Sequence, residues 1–186
     1  MECTSRIDTR FAISTIVNDH GEVVNLFCGE WRSSHRVACD AFSASNTIEI
    51  AEKRDLVIVS CGAYPHDINM IQAHKALDAA SRACTDGGTI ILLAECRDGL
   101  GRSDFLKWFE AADSAELAMR LCEKYQVNGQ TAWSLLRKAE NFNVQVLTSL
   151  SSGDTSKMRV TKIDSLPPVS SGYIIPDGAK ISVRST

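Results

Sequence analysis

The stretch that decides the fold is Asp55-Leu56-Val57-Ile58-Val59-Ser60-Cys61-Gly62, in which Leu56 to Val59 form an unbroken apolar run. Strands that are buried on both faces of a parallel sheet have this pattern, because neither face contacts water. Residues 89–94 are predicted to form a second buried strand, and residues 144–147, which include Gln145, a third strand. Segments with helical periodicity lie between these strands, and strands that alternate with helices indicate an α/β fold. We therefore predict a doubly wound, mostly parallel, Rossmann-like sheet.

The other elements are predicted from turn, cap and periodicity signals around these strands. A β-hairpin is expected from Phe11–Val17 and Val23–Cys28, which flank a turn. A helix capped by Asp67 is predicted from apolar residues at alternating steps of three and four: Met70, Ala73, Leu77, Ala80 and Cys84. The remaining expectations are helices at 103–110 and 130–139, a helix with the capping box Asp113 and Glu116, a loop at 150–168, and strands at 173–175 and 181–183.

These patterns divide the chain into three segments. Residues 1–38 contain the hairpin, 39–54 form a linker helix, and 55–186 form the α/β domain.

Composition limits the classes of function. A formal net charge of −3, with 44% hydrophobic and 23% charged residues, is typical of a globular protein and provides no basic field for nucleic acid. No apolar run is long enough to span a bilayer, and residues 1–10 lack the apolar stretch of a secretory signal. The seven cysteines are scattered and form no C-x-x-C pair, which is typical of a reducing compartment. We therefore expect a cytoplasmic protein without a nucleic-acid or membrane partner.

The turn from Tyr64 to Lys75 is the main candidate for a functional site. Ligands of open α/β sheets bind outside the carboxyl ends of the strands, and this turn follows the first predicted strand. Gln72 and Lys75 are three residues apart, so they share a helical face and lean toward the helix N-terminus. An ammonium, an amide and free backbone N–H groups suit a carboxylate or a phosphate. The alternative is that both side chains are merely solvated.

A second loop, 95–101, follows the next predicted strand, so we expect the two loops to be neighbours. Its Gly99 and Gly101 belong to a phosphate-loop pattern, but Asp104 stands where the third glycine belongs. Glu95 and Asp98 would also repel phosphate. Glu95 could position a cation or a hydroxyl, or it could only cap the loop.

Cys61, Cys96 and His66 could converge at the strand ends as a soft metal site, although their spacing does not demand it. The alternative is a pair of buried thiols beside an exposed histidine. The sequence contains no G-x-S-x-G, H-E-x-x-H or Walker loop, so no catalytic residue is assigned.

The segment 55–69, followed by Gln72 and Lys75, resembles the C-terminal domain of the nickel-dependent lactate racemase family. The motif Tyr-Pro-x-Asp-x-Asn-x-x-Gln-x-x-Lys is its most specific part. Supporting similarities are the loop 94–101, the ending 175–179, Gly29 and the pair His35-Arg36. The hairpin resembles the close of the family's preceding domain, so we expect it to be left from that neighbouring domain.

The resemblance implies a two-domain parent enzyme that racemises or epimerises 2-hydroxy acids. In the family, a tethered nickel-pincer nucleotide accepts the substrate hydride and two histidines act as acid and base, all in the N-terminal domain. The C-terminal domain contributes substrate contacts, and these map to Gln72 and Lys75. Tyr64 of the motif turn and Trp133, the nearest counterpart of a family tryptophan, complete the expected substrate-binding set. The sequence departs from the family at Ile71, where tyrosine is frequent, and at Ala63, where glycine is usual.

The leading hypothesis is a substrate-carboxylate-binding domain of a nickel-pincer-dependent racemase or epimerase that is inactive alone. Its expected partners are a small 2-hydroxy carboxylate, an N-terminal catalytic domain and, through the hairpin, a second copy of the chain. The nickel-pincer nucleotide is expected only in a full-length isomerase, and no metal site is assigned to this chain. The alternatives are a stand-alone small-anion-binding module and a structural partner of a separately encoded catalytic domain. An upstream reading frame with paired histidines would favour the leading hypothesis.

Overall fold

A computed structural model describes residues 11–18, 20–169 and 171–185 of the chain. The expectations about residues 1–10, including the absence of a secretory signal, lie outside the described residues. The chain divides into two compact units between Thr47 and Ile48.

The first unit contains the predicted hairpin and a helix. Strands β1 (Ala12–Val17) and β2 (Val23–Gly29) pair antiparallel. Asn18 fixes the turn between them, because its side-chain oxygen accepts hydrogen bonds from the backbone N–H groups of His20 and Glu22. Helix α1 (Trp31–Asn46) follows and packs against both strands. The hairpin is therefore not isolated.

Helix α1 begins before the linker helix that was expected at 39–54. The carboxylate of Glu30 caps it by accepting hydrogen bonds from the backbone N–H groups of Arg32 and Ser33. Glutamate is not among the residues typical of this position, so the sequence gives little signal for the start. The helix ends at Asn46. Strand β3 (Thr47–Ile50) follows, and three of its four residues are β-branched, which favours a strand. The domain boundaries 1–38, 39–54 and 55–186 stay predictions.

The second unit is built on a five-stranded parallel sheet. Its strands are β4 (Arg54–Ser60), β5 (Cys84–Leu93), β6 (Asn143–Leu147), β7 (Thr161–Ile163) and β8 (Tyr173–Ile175), in the spatial order β7-β6-β5-β4-β8. All neighbouring pairs in this sheet are parallel. A separate two-stranded sheet joins β3 to β9 (Ser182–Ser185). The parallel sheet and the hairpin confirm the predicted fold class.

Helices connect the first four strands of the parallel sheet. They are α2 (Met70–Ala73), α3 (Ala76–Ala83), a 3-10 helix (Phe105–Glu110), α4 (Ser114–Glu123), α5 (Val127–Asn141) and α6 (Ser152–Lys157). Within the described ranges, none of the helices has the length and apolar character needed to cross a membrane.

The core lies between the sheet and these helices. Val57 and Val59 of β4 pair in register with Ile90 and Leu92 of β5, and all four side chains are fully buried. Burial of each such side chain stabilises the fold by about 1.5–3 kcal/mol. Helix α3 presents small residues to this core, which lets its backbone approach the strands closely: Ala76, Ala79, Ala80 and Ala83. The apolar run that decided the fold is therefore the centre of the core.

The helix predicted from Asp67 onward consists of two short helices. Asn69, not Asp67, caps α2, since its side-chain oxygen accepts a hydrogen bond from the backbone N–H of Gln72 at 3.0 Å. Cys84 lies in β5 rather than in the helix. Asp67 and Asn69 are both good helix caps, so the sequence does not distinguish between them. In the structure, the side chain of Asp67 instead accepts a hydrogen bond from Glu95 N.

The segment 150–168 is not the plain loop that its composition predicts, because it contains α6 and β7. Ser151 caps α6 by accepting a hydrogen bond from the backbone N–H of Asp154 at 3.0 Å. Serine and glycine therefore mark a short capped helix here, and both elements are too short to give a periodic signal.

Asp113 caps α4 as predicted, although Glu116 accepts from the backbone of Ala112 rather than from that of Asp113, and the cap can be tested. Asp113 Oδ1 accepts a hydrogen bond from Glu116 N at 2.8 Å, and Glu116 Oε2 accepts one from Ala112 N at 2.6 Å. We expect Asp113→Ala to lower the free energy of unfolding by about 1 kcal/mol in urea denaturation, because the helix loses its cap. The control is Asp98→Ala in an exposed loop, which should change it by less than about 0.5 kcal/mol. Equal effects of the two substitutions would contradict the role of Asp113.

Candidate functional site

The loops that follow β4 and β5 lie side by side at the carboxyl edge of the parallel sheet. Cys96 N donates a hydrogen bond to Asp67 O at 3.0 Å, and Asp98 N donates one to Ile68 O at 2.9 Å. The side chain of Asp67 accepts a third, from Glu95 N at 3.1 Å. The expectation that the two loops are neighbours is confirmed, and the carboxylate of Asp67 helps to clamp them together.

Strands β5, β6 and β7 lie on one side of β4, and β8 lies on the other. Open α/β sheets bind their ligands where the strand order changes direction in this way. The segment after β8 closes over the end of β4, where Gly178 N donates a hydrogen bond to Ser60 O at 2.8 Å. Gly62 has φ +92°, and a Cβ atom there would lie 2.5 Å from Asp177 Oδ1, so only glycine fits. Ala63, which has φ +59°, adopts a left-handed conformation that glycine would reach with less strain.

Gln72 and Lys75 are brought together as their spacing predicts. Lys75 Nζ donates a hydrogen bond to Gln72 Oε1 at 2.6 Å. Lys75 is exposed and Gln72 is half-buried. Across the described ranges, Lys75 has no carboxylate within ion-pairing distance. The pair therefore presents an ammonium whose charge is not neutralised.

The backbone N–H groups near Gln72 and Lys75 are less available to an anion than the sequence suggests. The N–H groups of Gln72 and Ala73 donate to Asn69 O, and that of Met70 donates to Gly99 O. Helix α2 has only four residues, so it carries little of a helix dipole. Anion binding here would depend on the side chains of Gln72 and Lys75.

Tyr64 and Trp133 lie in other surroundings. The guanidinium of Arg97 sits 5.2 Å from the centre of the Tyr64 ring, and it also donates to Glu95 Oε2 at 2.9 Å. Trp133 belongs to α5, where it contacts Arg137. In the described part of the chain, no hydrogen bond or ring contact links Tyr64 or Trp133 to the Gln72–Lys75 pair.

A cavity of about 420 Å³ opens at the carboxyl ends of the strands, and we call it the edge cavity. The residues that line it include Ser60, Asp67, Glu95, Thr148, Ser149 and Asp164. The hydroxyls of Thr148 and Ser149 donate to Glu95 O at 3.3 and 2.6 Å. Arg97 pairs with Glu95, but Asp67 and Asp164 leave the lining of the edge cavity net negative, which disfavours an anion because like charges repel.

Sequence reasoning missed Thr148 and Ser149, which follow the third strand. Their position directly after a buried strand was the available signal, because every such end meets at the same edge of a parallel sheet. The backbone oxygen of Glu95 accepts hydrogen bonds from these hydroxyls, and its carboxylate accepts one from Arg97.

The thiols at the strand ends are buried and protonated. Burial raises the pKa of Cys61 to about 12 and that of Cys96 to about 11. Cys61 Sγ donates to Ala73 O at 3.4 Å. Among the residues with described positions, no group of three His, Cys, Asp or Glu side chains is placed to hold a metal ion. The arrangement favours packing thiols over a soft metal site at Cys61, Cys96 and His66.

His74, next to Lys75 in sequence, is buried rather than exposed. Its Nδ1 lies 2.7 Å from Ile71 O, so in the neutral ring this nitrogen carries the hydrogen. Burial lowers the pKa of His74, and the nearby cations Lys138 and Lys75 act in the same direction. The imidazole of His74 is therefore held neutral.

Comparison with known proteins shows which family has this arrangement. Residues 50–162 match the family model described as the lactate racemase C-terminal domain. The chain belongs to this family. The resemblance inferred from the motif around Gln72 and Lys75 is thereby confirmed.

Two lactate racemases are similar to this C-terminal domain in sequence. The enzyme of Thermoanaerobacterium thermosaccharolyticum is 36% identical over 109 residues, which is 59% of this chain and 25% of that protein. The enzyme of Lactiplantibacillus plantarum is 33% identical over 95 residues, which is 51% of this chain and 22% of that protein. The match thus spans about a quarter of the length of these relatives.

Two solved structures are similar to this chain over nearly its whole length. The lactate racemase apoprotein of Thermoanaerobacterium thermosaccharolyticum has a TM-score of 0.86 at 28% identity and covers 98% of this chain and 48% of its own. A protein from Thermotoga maritima has a TM-score of 0.68 at 15% identity and covers 99% of this chain and 51% of its own. The second comparison supports the fold alone.

The burial of His74 has a consequence for stability that can be measured. Because its pKa is lowered in the folded state, the unfolded chain binds a proton first as the pH falls below the ordinary value of about 6.5. We expect the free energy of unfolding to fall between pH 7 and pH 5, and His74→Gln to remove part of that slope in urea denaturation. The exposed His35, changed to glutamine, serves as the control. An unchanged slope in His74→Gln would show that His74 does not contribute.

Proposed function

We propose that this chain is the substrate-carboxylate-binding domain of a nickel-pincer-dependent 2-hydroxy acid racemase or epimerase, and that it is inactive alone. The observation that carries the proposal is the exposed ammonium of Lys75, held by Gln72 at 2.6 Å and lacking a carboxylate partner in the described residues. Both residues occupy the matching positions of the family motif, and membership of the family makes a small 2-hydroxy carboxylate the natural ligand.

The geometry of the pair suits a carboxylate. An ammonium has three hydrogens, of which Gln72 Oε1 accepts one, so two remain for a ligand. The amide nitrogen of Gln72 has no protein acceptor among the described residues. A carboxylate that accepts from both side chains would be fixed in direction as well as in place, which orients the adjacent carbon that bears the hydroxyl.

The charges at the sheet edge support the same location. Asp67, Glu95 and Asp164 line the edge cavity and repel an anion there. A hydroxy acid is therefore directed toward Lys75, where positive charge is available. Tyr64 and Trp133 remain proposed substrate contacts.

The side chains of the described residues do not fit the nickel-pincer nucleotide that the family implies. The described residues provide no metal-ligand cluster, and the buried thiols of Cys61 and Cys96 are held protonated. His74 is also engaged, through Nδ1, with Ile71 O. We therefore assign the cofactor and the acid/base pair to an N-terminal catalytic domain outside this chain, which is the proposed partner.

Anion binding at the Gln72–Lys75 pair can be tested by an NMR titration of the chain with lactate. We expect signals from residues 62–75 to shift with a dissociation constant that is roughly millimolar, because the site is open to water. Lys75→Ala should weaken binding about three- to tenfold, since it removes a charge-assisted hydrogen bond from an exposed site. Lys53→Ala, which removes another exposed ammonium, is the control. Shifts confined to other regions would contradict the assignment.

The proposed inactivity of the chain leads to a second expectation. Because the described residues place no acid/base pair beside Lys75, the purified chain should not convert L-lactate into D-lactate, or the reverse, in a chiral chromatography assay, whether or not nickel is added. Racemisation by the purified chain above the rate of a heat-denatured sample would refute the proposed division of labour.

A further inference from the structure

A groove of about 430 Å³ lies between α3 and α5, apart from the edge cavity. We call it the basic groove. Its charged and aromatic lining consists of Asp78, Arg82, Trp133, Arg137, Lys138 and Phe142. Helices that only pack against each other do not need such a concentration of cations on their outer surface.

The charges in the basic groove are not balanced. Lys138 Nζ forms an ion pair with Asp78 Oδ1 at 2.6 Å and donates to Ser134 Oγ at 2.9 Å. Within the described ranges, neither Arg82 nor Arg137 has a carboxylate within ion-pairing distance. The groove therefore holds two positive charges in excess, on a chain whose formal net charge is −3.

Two of the cations are held in place before any ligand arrives. Lys138 is buried, and its ion pair and hydrogen bond fix the ammonium between the helices. The guanidinium of Arg137 lies 5.0 Å from the centre of the Trp133 ring, over its face. Arg82 is in the last turn of α3, where a cation also stabilises the helix dipole. That role explains Arg82 by itself but not Arg137.

We propose that the basic groove binds a doubly charged oxyanion, such as the phosphate of a phosphate monoester. Guanidinium groups present paired N–H donors that match the oxygens of a phosphate, and Arg82 and Arg137 have these donors free of carboxylates. Ser134 Oγ accepts from Lys138, so its own hydrogen is available to the same ligand. Trp133 supplies an apolar wall for whatever group carries the phosphate. The basic groove does not rest on the carboxylate site proposed at Gln72 and Lys75.

The test follows the indole N–H signal of Trp133 in the full chain by NMR, assigned with Trp133→Phe. Inorganic phosphate and phenyl phosphate are titrated at constant ionic strength, with chloride as the reference salt. We expect a saturable shift with phosphate but not with chloride. Tighter binding of phenyl phosphate supports an ester ligand, and equal binding supports free phosphate as the ligand. The absence of a saturable shift with either probe overturns the proposal.

Substitutions locate the bound anion. Arg82→Gln leaves the contact between Arg137 and Trp133 intact and should weaken phosphate binding about tenfold, as should Arg137→Gln. Arg36→Gln on α1 is the control and should have no effect. If Lys75→Ala abolishes the response while both groove variants keep it, the anion lies at the Gln72–Lys75 pair. That result overturns the basic groove and leaves the proposed function standing.

Discussion

The parallel pairing of β4 with β5 on one side and with β8 on the other is the constraint on which the rest of the structure depends. Parallel strands deliver their following loops to one edge of a sheet, so residues distant in sequence become neighbours there. Cys61, Cys96 and Asp177 meet at this edge for that reason. The pairing itself needs β4 to be apolar, and the fully buried Val57 and Val59 meet that need.

Electrostatics then divides the molecular surface into regions with different uses. Three carboxylates line the edge cavity, the ammonium of Lys75 has no carboxylate partner among the described residues, and further cations line the groove between α3 and α5. Thiols that could react stay protonated because they are buried among apolar side chains. A small anion therefore has few places to bind, and the proposals above follow from where those places are.

Long apolar patterns made the sheet predictable. The site was harder to predict, because neighbouring residues compete to cap a helix and some elements are very short. The run Leu56–Val59 and the capping box at Asp113 are local signals, and each gave the correct element. Asp67 and Asn69 are both good caps, and the hydrogen bond from Glu95 N that draws Asp67 away is a tertiary contact. Elements as short as β7 have too few residues for any period to show.

The spacing of Gln72 and Lys75 predicted their contact correctly, because the backbone of His74 and Lys75 keeps right-handed helical angles between α2 and α3. The surroundings of Trp133 could not be predicted, since they depend on how α5 packs against α3. Thr148 and Ser149 were missed for a similar reason, as their importance comes only from the position of β6 in the sheet. Membership of the lactate racemase C-terminal domain family fixes the fold and the motif but leaves these local arrangements to the individual sequence.

The clamp at Asp67 makes the loops after β4 and β5 a single mechanical unit. Asp67 and Ile68 accept three hydrogen bonds across the two loops, from Glu95 N, Cys96 N and Asp98 N, and Met70 N donates a fourth in the other direction, to Gly99 O. A force applied to either loop, for instance by another domain that presses on the turn at Tyr64, is therefore transmitted to the other. The edge cavity and the segment that leads to Lys75 would change shape together rather than independently.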